Sequence, residues 1–163
     1  MKRIISVCAV FALFALLLCG CGAGNAGEET IASSVTINNT KVTLGGVYDD
    51  ALAGALGTPA DTQQAVSCHY DGYDTMYYYD GYTIYTYLLE EQKIMYSIEI
   101  TDAAIKTPEG AAVGMTVAQI EEIYGTAHSE LPNGISYALK AEGAKLNFRV
   151  KDNVVFCIEY YTE

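Results

Sequence analysis

Basic residues are scarce in this sequence. Only nine of its 163 residues are Lys or Arg, whereas twenty are Asp or Glu. Because Lys2 and Arg3 lie at the N-terminus, the chain after Gly20 has seven basic and twenty acidic residues, a net charge of 7 − 20 = −13. Nucleic acids and anionic lipid surfaces bind proteins through clustered Lys and Arg. The sequence therefore predicts no nucleic-acid partner and favours a soluble, acidic module that binds other molecules outside the cytoplasm.

Cysteine is almost missing from the body of the chain. Three of the five cysteines lie between residues 8 and 21, which leaves only Cys68 and Cys157 further on. Two cysteines cannot make a disulfide-rich scaffold. Alternation along the strands places Cys68 on a packed face and Cys157 on an open face, and this arrangement disfavours a disulfide between them.

Catalytic and metal-binding motifs are also missing. The chain has no Gly-x-Ser-x-Gly, Walker or dinucleotide fingerprint. Cys68 and His69 are neighbours in a predicted strand, so their side chains point to opposite faces and cannot pair as nucleophile and base. His69 and His128 lack the spacing of metal ligands. The spacing of a calcium-binding loop is absent from Asp71, Asp74 and Asp80. We therefore expect a protein that is not an enzyme and holds no metal or cofactor.

The N-terminus has the features of an export signal. Lys2 and Arg3 precede an apolar run from Ile4 to Leu18, which is too short and too close to the terminus for a membrane-spanning helix. The run ends in Leu18-Cys19-Gly20-Cys21, which resembles the lipobox of bacterial lipoproteins. That resemblance implies a lipid on Cys21 and a protein anchored to the cell membrane, facing outside the cytoplasm. An ordinary signal peptide is the alternative. With the lipid on Cys21, we expect residues 1–20 to be the lipoprotein signal peptide and residues 21–34 a flexible tether.

A tyrosine-rich stretch runs from Ser67 to Leu88. It holds eight of the fourteen tyrosines and contains two Asp-Gly pairs, which are turn signals. Tyrosine is also enriched in strands. The stretch therefore predicts successive antiparallel strands.

Two parts of the chain resemble each other. Residues 46–57 and 114–125 align without a gap as short helices with Gly at each end, with Thr116 as an N-cap and Gly57 and Gly125 after the last turn. Strict alternation follows each helix, and it predicts one packed sheet face that carries Ile84, Thr86, Leu88, Ile94, Tyr96, Ile98 and Ile100, and later Leu146, Phe148, Val150, Val154, Phe156, Ile158 and Tyr160. We therefore predict an α+β fold of two tandem repeats, residues 35–101 and 102–163. Each repeat is a short helix, or a helix pair, packed on a three- to four-stranded antiparallel sheet.

This arrangement of a glycine-bounded helix and a strand meander resembles the β-lactamase-inhibitory-protein-like fold. It is also similar to the SmpA/OmlA family of small envelope lipoproteins. The resemblance covers residues 42 to 161 and implies a non-enzymatic protein-binding role. No partner-contacting residue can be carried over from either family.

The same alternation predicts which tyrosines face away from the helices. Tyr78, Tyr85 and Tyr87, with Met76, would form an aromatic patch on the open sheet face, and Glu99 would lie nearby. Tyrosine suits recognition because it offers a large apolar ring and a hydroxyl at low entropic cost. The alternative is that cross-strand tyrosine pairs only stabilise a half-solvated sheet.

These observations predict a lipid-anchored, extracytoplasmic protein-binding module that uses the open face of its sheet. Its partner would be an envelope or secreted protein, and it would touch the membrane only through its lipid. Two alternatives stay open at this point. One is an envelope-assembly or scaffolding lipoprotein, and the other is binding of cell-wall glycan or peptide by the aromatic face.

Overall fold

The structure is a computed structural model that describes residues 31–67 and 72–162. The predicted signal peptide, Cys21, Cys68 and His69 lie outside the described residues. Ser34, the last residue of the predicted tether, already belongs to the first strand. In the part of the chain that the structure describes, no helix has the length and apolarity needed to cross a membrane.

Ten strands and two short helices make up the described chain. In order they are β1 (Ser34–Ile37), β2 (Thr40–Thr43), α1 (Asp50–Leu56), β3 (Asp61–Val66), β4 (Tyr73–Tyr79), β5 (Tyr82–Leu89), β6 (Gln92–Ile100), α2 (Val117–Tyr124), β7 (Ser129–Leu131), β8 (Gly134–Ala138), β9 (Lys145–Lys151) and β10 (Val154–Tyr161). The strands β1 and β2 form a separate hairpin. The other eight strands form one antiparallel sheet in the order β3-β4-β5-β6-β10-β9-β8-β7.

The predicted fold class is wrong. The protein is mostly β, with 49% strand and 12% helix, and it is not built from two helix-on-sheet repeats. The finding that overturns the prediction is the pairing of β6 with β10, in which Glu99 lies opposite Glu159 and Ile100 opposite Ile158. Because of that pairing, the strands that follow α1 and those that follow α2 belong to one eight-stranded sheet.

A single hydrophobic core lies on one side of this sheet. Ile84, Ile98, Phe148 and Ile158 point into it from four strands and are fully buried. The core is completed by residues of the β1–β2 hairpin and of the two helices, namely Val35, Ile37, Val42, Leu56 and Ile120. We call this side of the sheet the core face and the other side the open face.

The second helix begins at its predicted cap and both helices end at theirs, whereas α1 begins at Asp50, after Asp49, and not at the predicted Gly46. The side chain of Asp49 accepts a hydrogen bond from the backbone N–H of Leu52, 2.8 Å away, at the start of α1. Thr116 and Gln119 form a capping box at the start of α2. Gly57 and Gly125 end the helices with φ values of +93° and +81°, a region in which glycine is favoured. The predicted caps Thr116, Gly57 and Gly125 are confirmed, but the helices are only seven and eight residues long.

Two β-bulges overturn part of the predicted alternation. On β6, Ser97 pairs with Tyr85 and Met95 with Thr86, so Tyr96 is an extra residue. Met95 is therefore buried on the core face, and Tyr96 leaves it. On β10, the extra residue is Phe156, which lies between Val155 and Cys157.

Three apolar residues predicted on the packed face are exposed. Val154 is 39% and Phe156 47% exposed, because the bulge on β10 turns Val155 into the core in their place. Leu88, near the end of β5, is 42% exposed.

Candidate functional site

The open face carries the tyrosines that the sequence places there. On β5 the core-face residues Ile84 and Thr86 are buried, whereas Tyr85 and Tyr87, which alternate with them, are half-buried. On β4 the same alternation buries Tyr77 and leaves Met76 and Tyr78 half-buried. The predicted facing of these tyrosines is confirmed.

Neighbouring strands bring four predicted residues together with Tyr96 into one cluster, which we call the tyrosine patch: Met76, Tyr78, Tyr85, Tyr87 and Tyr96. Met76 lies opposite Tyr85 in the β4–β5 pair, and the Tyr78 hydroxyl is 3.6 Å from the Met76 sulfur. The Tyr96 ring lies 6.1 Å from the Tyr85 ring and 6.2 Å from the Tyr87 ring, measured between centroids. The patch is therefore continuous across β4, β5 and β6.

The sequence does not predict Tyr96 in this patch. Strict alternation puts it on the packed face with Ile98. The bulge adds one residue and rotates the Tyr96 ring onto the same side as Tyr85 and Tyr87. Bulges of this type often redirect a side chain without ending the strand.

Charged side chains adjoin the tyrosine patch. The Tyr85 hydroxyl donates a hydrogen bond to Glu99 over 2.8 Å. Glu99 lies beside Glu159 on the next strand, and one guanidinium nitrogen of Arg149 lies 3.0 Å from the Glu99 carboxylate and 3.1 Å from the Glu159 carboxylate. One cation therefore bridges two carboxylates, which leaves a local charge of −1.

Hydrogen bonds extend this cluster across the sheet. The Asn147 amide donates to Glu159 over 3.0 Å, and the Ser136 hydroxyl donates to the Asn147 side-chain oxygen over 2.7 Å. The Ser97 hydroxyl donates to Glu159 over 3.4 Å. The connected side chains, which we call the polar network, are Tyr85, Ser97, Glu99, Ser136, Asn147, Arg149 and Glu159. They span five adjacent strands, from β5 to β8.

Burial strengthens the electrostatics of the network. For Tyr85, burial and the hydrogen bond to Glu99 both raise the pKa, so the phenol stays protonated and donates. For Arg149, burial acts to lower the pKa, but the carboxylates of Glu159 and Glu99 outweigh it and raise the pKa. The network therefore holds a permanent cation and a permanent donor at neutral pH.

Sequence reasoning finds only Glu99 among the charged members of this network. Asn147, which lies on the open face with Arg149, is only 9% exposed. Glu159 occupies the position that corresponds to Glu99 in the later strand, and that match is the signal that could have found it.

Removing the cation should destabilise the fold. In Arg149→Met the carboxylates of Glu99 and Glu159, which are 20% and 13% exposed, would face each other without compensation. Breaking a fully buried pair costs about 3–5 kcal/mol. Because Arg149 is 42% exposed, we expect a smaller loss of about 1–2 kcal/mol. Urea unfolding would measure it.

The matched control is Lys151→Met, which removes an exposed cation from the same strand. Its free energy of unfolding should change by less than about 0.5 kcal/mol. Equal losses in the two variants would contradict a specific role for Arg149. Adding Glu99→Gln to Arg149→Met should recover part of the loss, because it removes one of the two uncompensated charges.

Two other reactive side chains lie in the described part of the chain, Cys157 and His128. Cys157 is a free, buried thiol, and burial followed by the nearby Glu99 charge raises its pKa to about 11, so it is a poor nucleophile at neutral pH. His128 lies at the other end of the sheet, with Nε2 3.0 Å from Glu121. Over residues 31–67 and 72–162, no three His, Cys, Asp or Glu side chains are grouped in a way that would hold a metal ion.

Comparison with known proteins gives no match: no family model, no curated protein and no solved structure is similar to this chain. The resemblance to the β-lactamase-inhibitory-protein-like fold and to the SmpA/OmlA family therefore stays a prediction.

Proposed function

We propose that this chain is a non-enzymatic protein-binding module that holds its partner on the open face of the eight-stranded sheet. One observation carries the proposal. The tyrosine patch and the polar network lie side by side on a sheet face that no helix or hairpin of the described residues covers. Centres of protein interfaces typically contain aromatic rings that lose their water on binding and lie next to charged side chains held in place by hydrogen bonds.

The chemistry of this face favours a basic partner. The network has two carboxylates and one guanidinium, and the whole chain has a net charge of −11. A Lys or Arg of the partner could approach Glu99 while its stem packs on the ring of Tyr85. The apolar rings would then provide affinity, and the charges would provide orientation and a faster encounter.

We extend the proposal to the location of the protein. The apolar run up to Leu18 and the Cys19-Gly20-Cys21 sequence support export and a lipid on Cys21. The module would then sit on the outer side of the cell membrane and recruit an envelope or secreted protein there. Radiolabelled palmitate incorporated into the protein, and lost in Cys21→Ala, would support the anchor. Equal labelling of Cys21→Ala would contradict it.

Site-specific photocrosslinking in intact cells tests the face itself. A photoreactive residue replaces Tyr78 or Tyr87 in one set of cells, and Glu122 on α2 in the control set. Glu122 is exposed, and its helix lies over the core face. We expect the two open-face positions to give the same protein adduct and Glu122 to give none. The same adduct from all three positions, or from none of them, would contradict the proposal.

Substitution of the patch residues should weaken partner binding far more than stability. Interface tyrosines commonly contribute about 2 kcal/mol or more each, so Tyr78→Ser or Tyr87→Ser should lower affinity for the crosslinked partner roughly thirtyfold. The control is Tyr73→Ser, which removes a ring that is 58% exposed on the same strand as Tyr78. Affinity and thermal unfolding are measured together. Unchanged affinity with an intact fold would show that the tyrosines only stabilise the sheet.

A second candidate, an envelope scaffold, is favoured by the edge of the sheet. All six residues of β3 are exposed, and among the described residues the strand pairs with β4 alone. Such an edge can accept a further strand through its free backbone groups. Crosslinks from Gln63 to a partner that does not crosslink to Tyr87 would favour this function over binding on the open face.

A further inference from the structure

A cleft of about 560 Å³ opens at the core-face end of the molecule, away from the tyrosine patch. It lies between the β1–β2 turn, the end of α1, the β4–β5 turn and the segment that follows β6. Its volume is within the range of sites that bind small molecules. No function discussed above uses it.

Hydrogen bonds tie the walls of the cleft together. The Asn38 amide donates to the backbone oxygen of Leu56 over 3.3 Å, which joins the β1–β2 turn to α1. The backbone N–H groups of Thr101 and Asp102 donate to the Gly81 oxygen over 2.8 and 3.0 Å, which joins the segment after β6 to the β4–β5 turn. A Cβ at Gly81 would lie 2.5 Å from the Asp102 Cβ, so these two walls are in close contact. The cleft is therefore preformed, which lowers the entropic cost of binding.

The lining of the cleft is acidic and rich in hydrogen-bonding groups. Asp80 and Asp102 provide two carboxylates, and the hydroxyls and amides come from Thr36, Asn38, Asn39 and Thr58. None of the described residues that line it is Lys or Arg. Both aspartates are exposed, and two like-charged carboxylates with no basic residue among the described lining attract cations by direct Coulomb interaction.

Two stacked tyrosines add a second observation. Tyr79 and Tyr82 line the cleft, with ring centroids 4.6 Å apart. Tyr82 is only 5% exposed, and its hydroxyl has no hydrogen-bond partner among the residues that the structure describes. An unpaired buried hydroxyl is costly, and buried groups of this kind are usually satisfied by a partner, an ordered water or a ligand. Aromatic rings also attract organic cations.

We propose that the cleft binds a small organic cation with a primary ammonium group on an alkyl chain. The ammonium lies between the carboxylates of Asp80 and Asp102 and donates to them. The alkyl chain packs against Leu56, Ile105 and the Tyr79 ring. The group comes either from a free diamine or from a lysine side chain. This site is independent of the open face.

Titration of the full-length protein with three probes tests the proposal. The probes are 1,5-diaminopentane, Nα-acetyl-lysine methylamide and the uncharged 1,5-pentanediol, and binding is followed by calorimetry and by NMR shifts of residues around the cleft. We expect saturable binding of at least one cation, at least tenfold tighter than the diol. Tighter binding of the diamine identifies a free amine as the ligand, and equal or tighter binding of the lysine derivative identifies a protein side chain.

Matched charge-removing variants locate the site. Asp80→Asn and Asp102→Asn should each weaken cation binding at least fivefold, and Asp102→Asn keeps the oxygen that accepts from the backbone N–H of Ala104. The control is Asp152→Asn in the β9–β10 turn, which makes the same charge change outside the cleft and suits the positive φ of +52° there. Its affinity should equal that of the parent protein. No saturable cation binding, equal binding of the diol, or equal weakening in all three variants would overturn the proposal.

Discussion

The Gly134→Ala variant should lose about 3 kcal/mol of stability or more, the largest effect that we expect from one added methyl group. Gly134 begins β8 and lies opposite Arg149 on β9. A Cβ at this position would collide with the backbone oxygen of Phe148 and would lie 3.0 Å from its carbonyl carbon. Backbone atoms in a paired strand cannot rotate away as a side chain can, so β8 and β9 would have to separate.

The damage should extend to the open face. Phe148 is fully buried in the core, and its neighbours on β9, Asn147 and Arg149, belong to the polar network. Displacing β9 would therefore disturb both faces of the sheet at once. Urea unfolding would measure the stability, and NMR shifts of the Asn147 and Arg149 side chains would report the displacement. A variant with unchanged stability would contradict the close contact between β8 and β9.

Gly54→Ala is the matched control, because it adds the same methyl group where there is space. Gly54 is exposed in α1, and a Cβ there would meet no atom within 4 Å. Alanine also lowers the entropy of the unfolded chain, so we expect a gain of about 0.5–1 kcal/mol. Opposite signs for the two glycines would show that local space, and not the loss of glycine as such, decides the result.

Local features of the fold are readable from the sequence, but the class of the sheet is not. Helix caps depend on interactions within one helical turn, so the sequence is enough to identify Thr116 as an N-cap and Gly57 and Gly125 as helix ends. The pairing of β6 with β10 joins residues about sixty positions apart, such as Glu99 and Glu159. The alternation within a strand does not indicate which strand lies beside it. Because β6 pairs with β10, the protein has one large sheet and not the two predicted α+β units.

The two β-bulges are also not predictable from the alternation of the sequence. Alternation identifies Tyr85 and Tyr87 as open-face residues because β5 is regular. The same rule fails for Tyr96 and Phe156, because each is an extra residue opposite a regular neighbouring strand. An aromatic residue at position 96 or 156 is compatible with either face of the sheet. The sequence therefore contains no local signal that a bulge changes the side on which these residues lie. As a result, the tyrosine patch is larger than predicted.

The sequence does not predict the polar network, because it does not predict the single eight-stranded sheet. Glu99 is predicted near the tyrosines, but its partners Arg149 and Glu159 belong to strands that the prediction assigns to another unit. Only the β6–β10 pairing brings the two carboxylates within reach of one guanidinium. The charge pattern of the candidate site is therefore a property of the complete sheet.

The fold should lose several kcal/mol of stability as the pH rises from about 9 to 12. Burial, and then the nearby Tyr79, raises the pKa of Tyr82 to about 12, and burial followed by the Glu121 charge raises that of Tyr137 to about 12. Burial likewise raises the pKa of Cys157 to about 11. Their ordinary values are 10.0 for tyrosine and 9.0 for cysteine.

The sign follows from proton binding. Between the ordinary pKa and the raised one, the unfolded chain has released these protons and the folded protein still holds them, so rising pH favours unfolding. The contribution of each group is complete below its ordinary pKa and is lost as the pH rises through the folded-state value. A pKa shift of two units corresponds to about 2–3 kcal/mol of unfolding free energy. The combined effect of Tyr82 and Tyr137 is therefore a large part of the stability of a typical domain. Urea unfolding at a series of pH values would measure the slope.

Tyr82→Phe isolates one contribution to that slope. Its hydroxyl has no hydrogen-bond partner among the described residues, and phenylalanine keeps the ring that stacks on Tyr79, so stability at pH 7 should be unchanged or slightly raised. At pH 12 the variant should be more stable than the parent by about 1–2 kcal/mol, because it has no phenol to ionise on unfolding.

Two further variants test whether buried tyrosine hydroxyls cause the loss of stability at high pH. Tyr137→Phe removes the hydrogen bond that the hydroxyl donates to the Gly125 oxygen over 2.7 Å, so it should cost about 1 kcal/mol at pH 7 and still reduce the alkaline slope. Tyr73→Phe, at a ring that is 58% exposed, should follow the parent at every pH. If all three variants kept the slope of the parent, buried phenols would not control the alkaline limit of this fold. If Tyr82→Phe alone lost stability at pH 7, the Tyr82 hydroxyl would have a partner that stabilises the folded state.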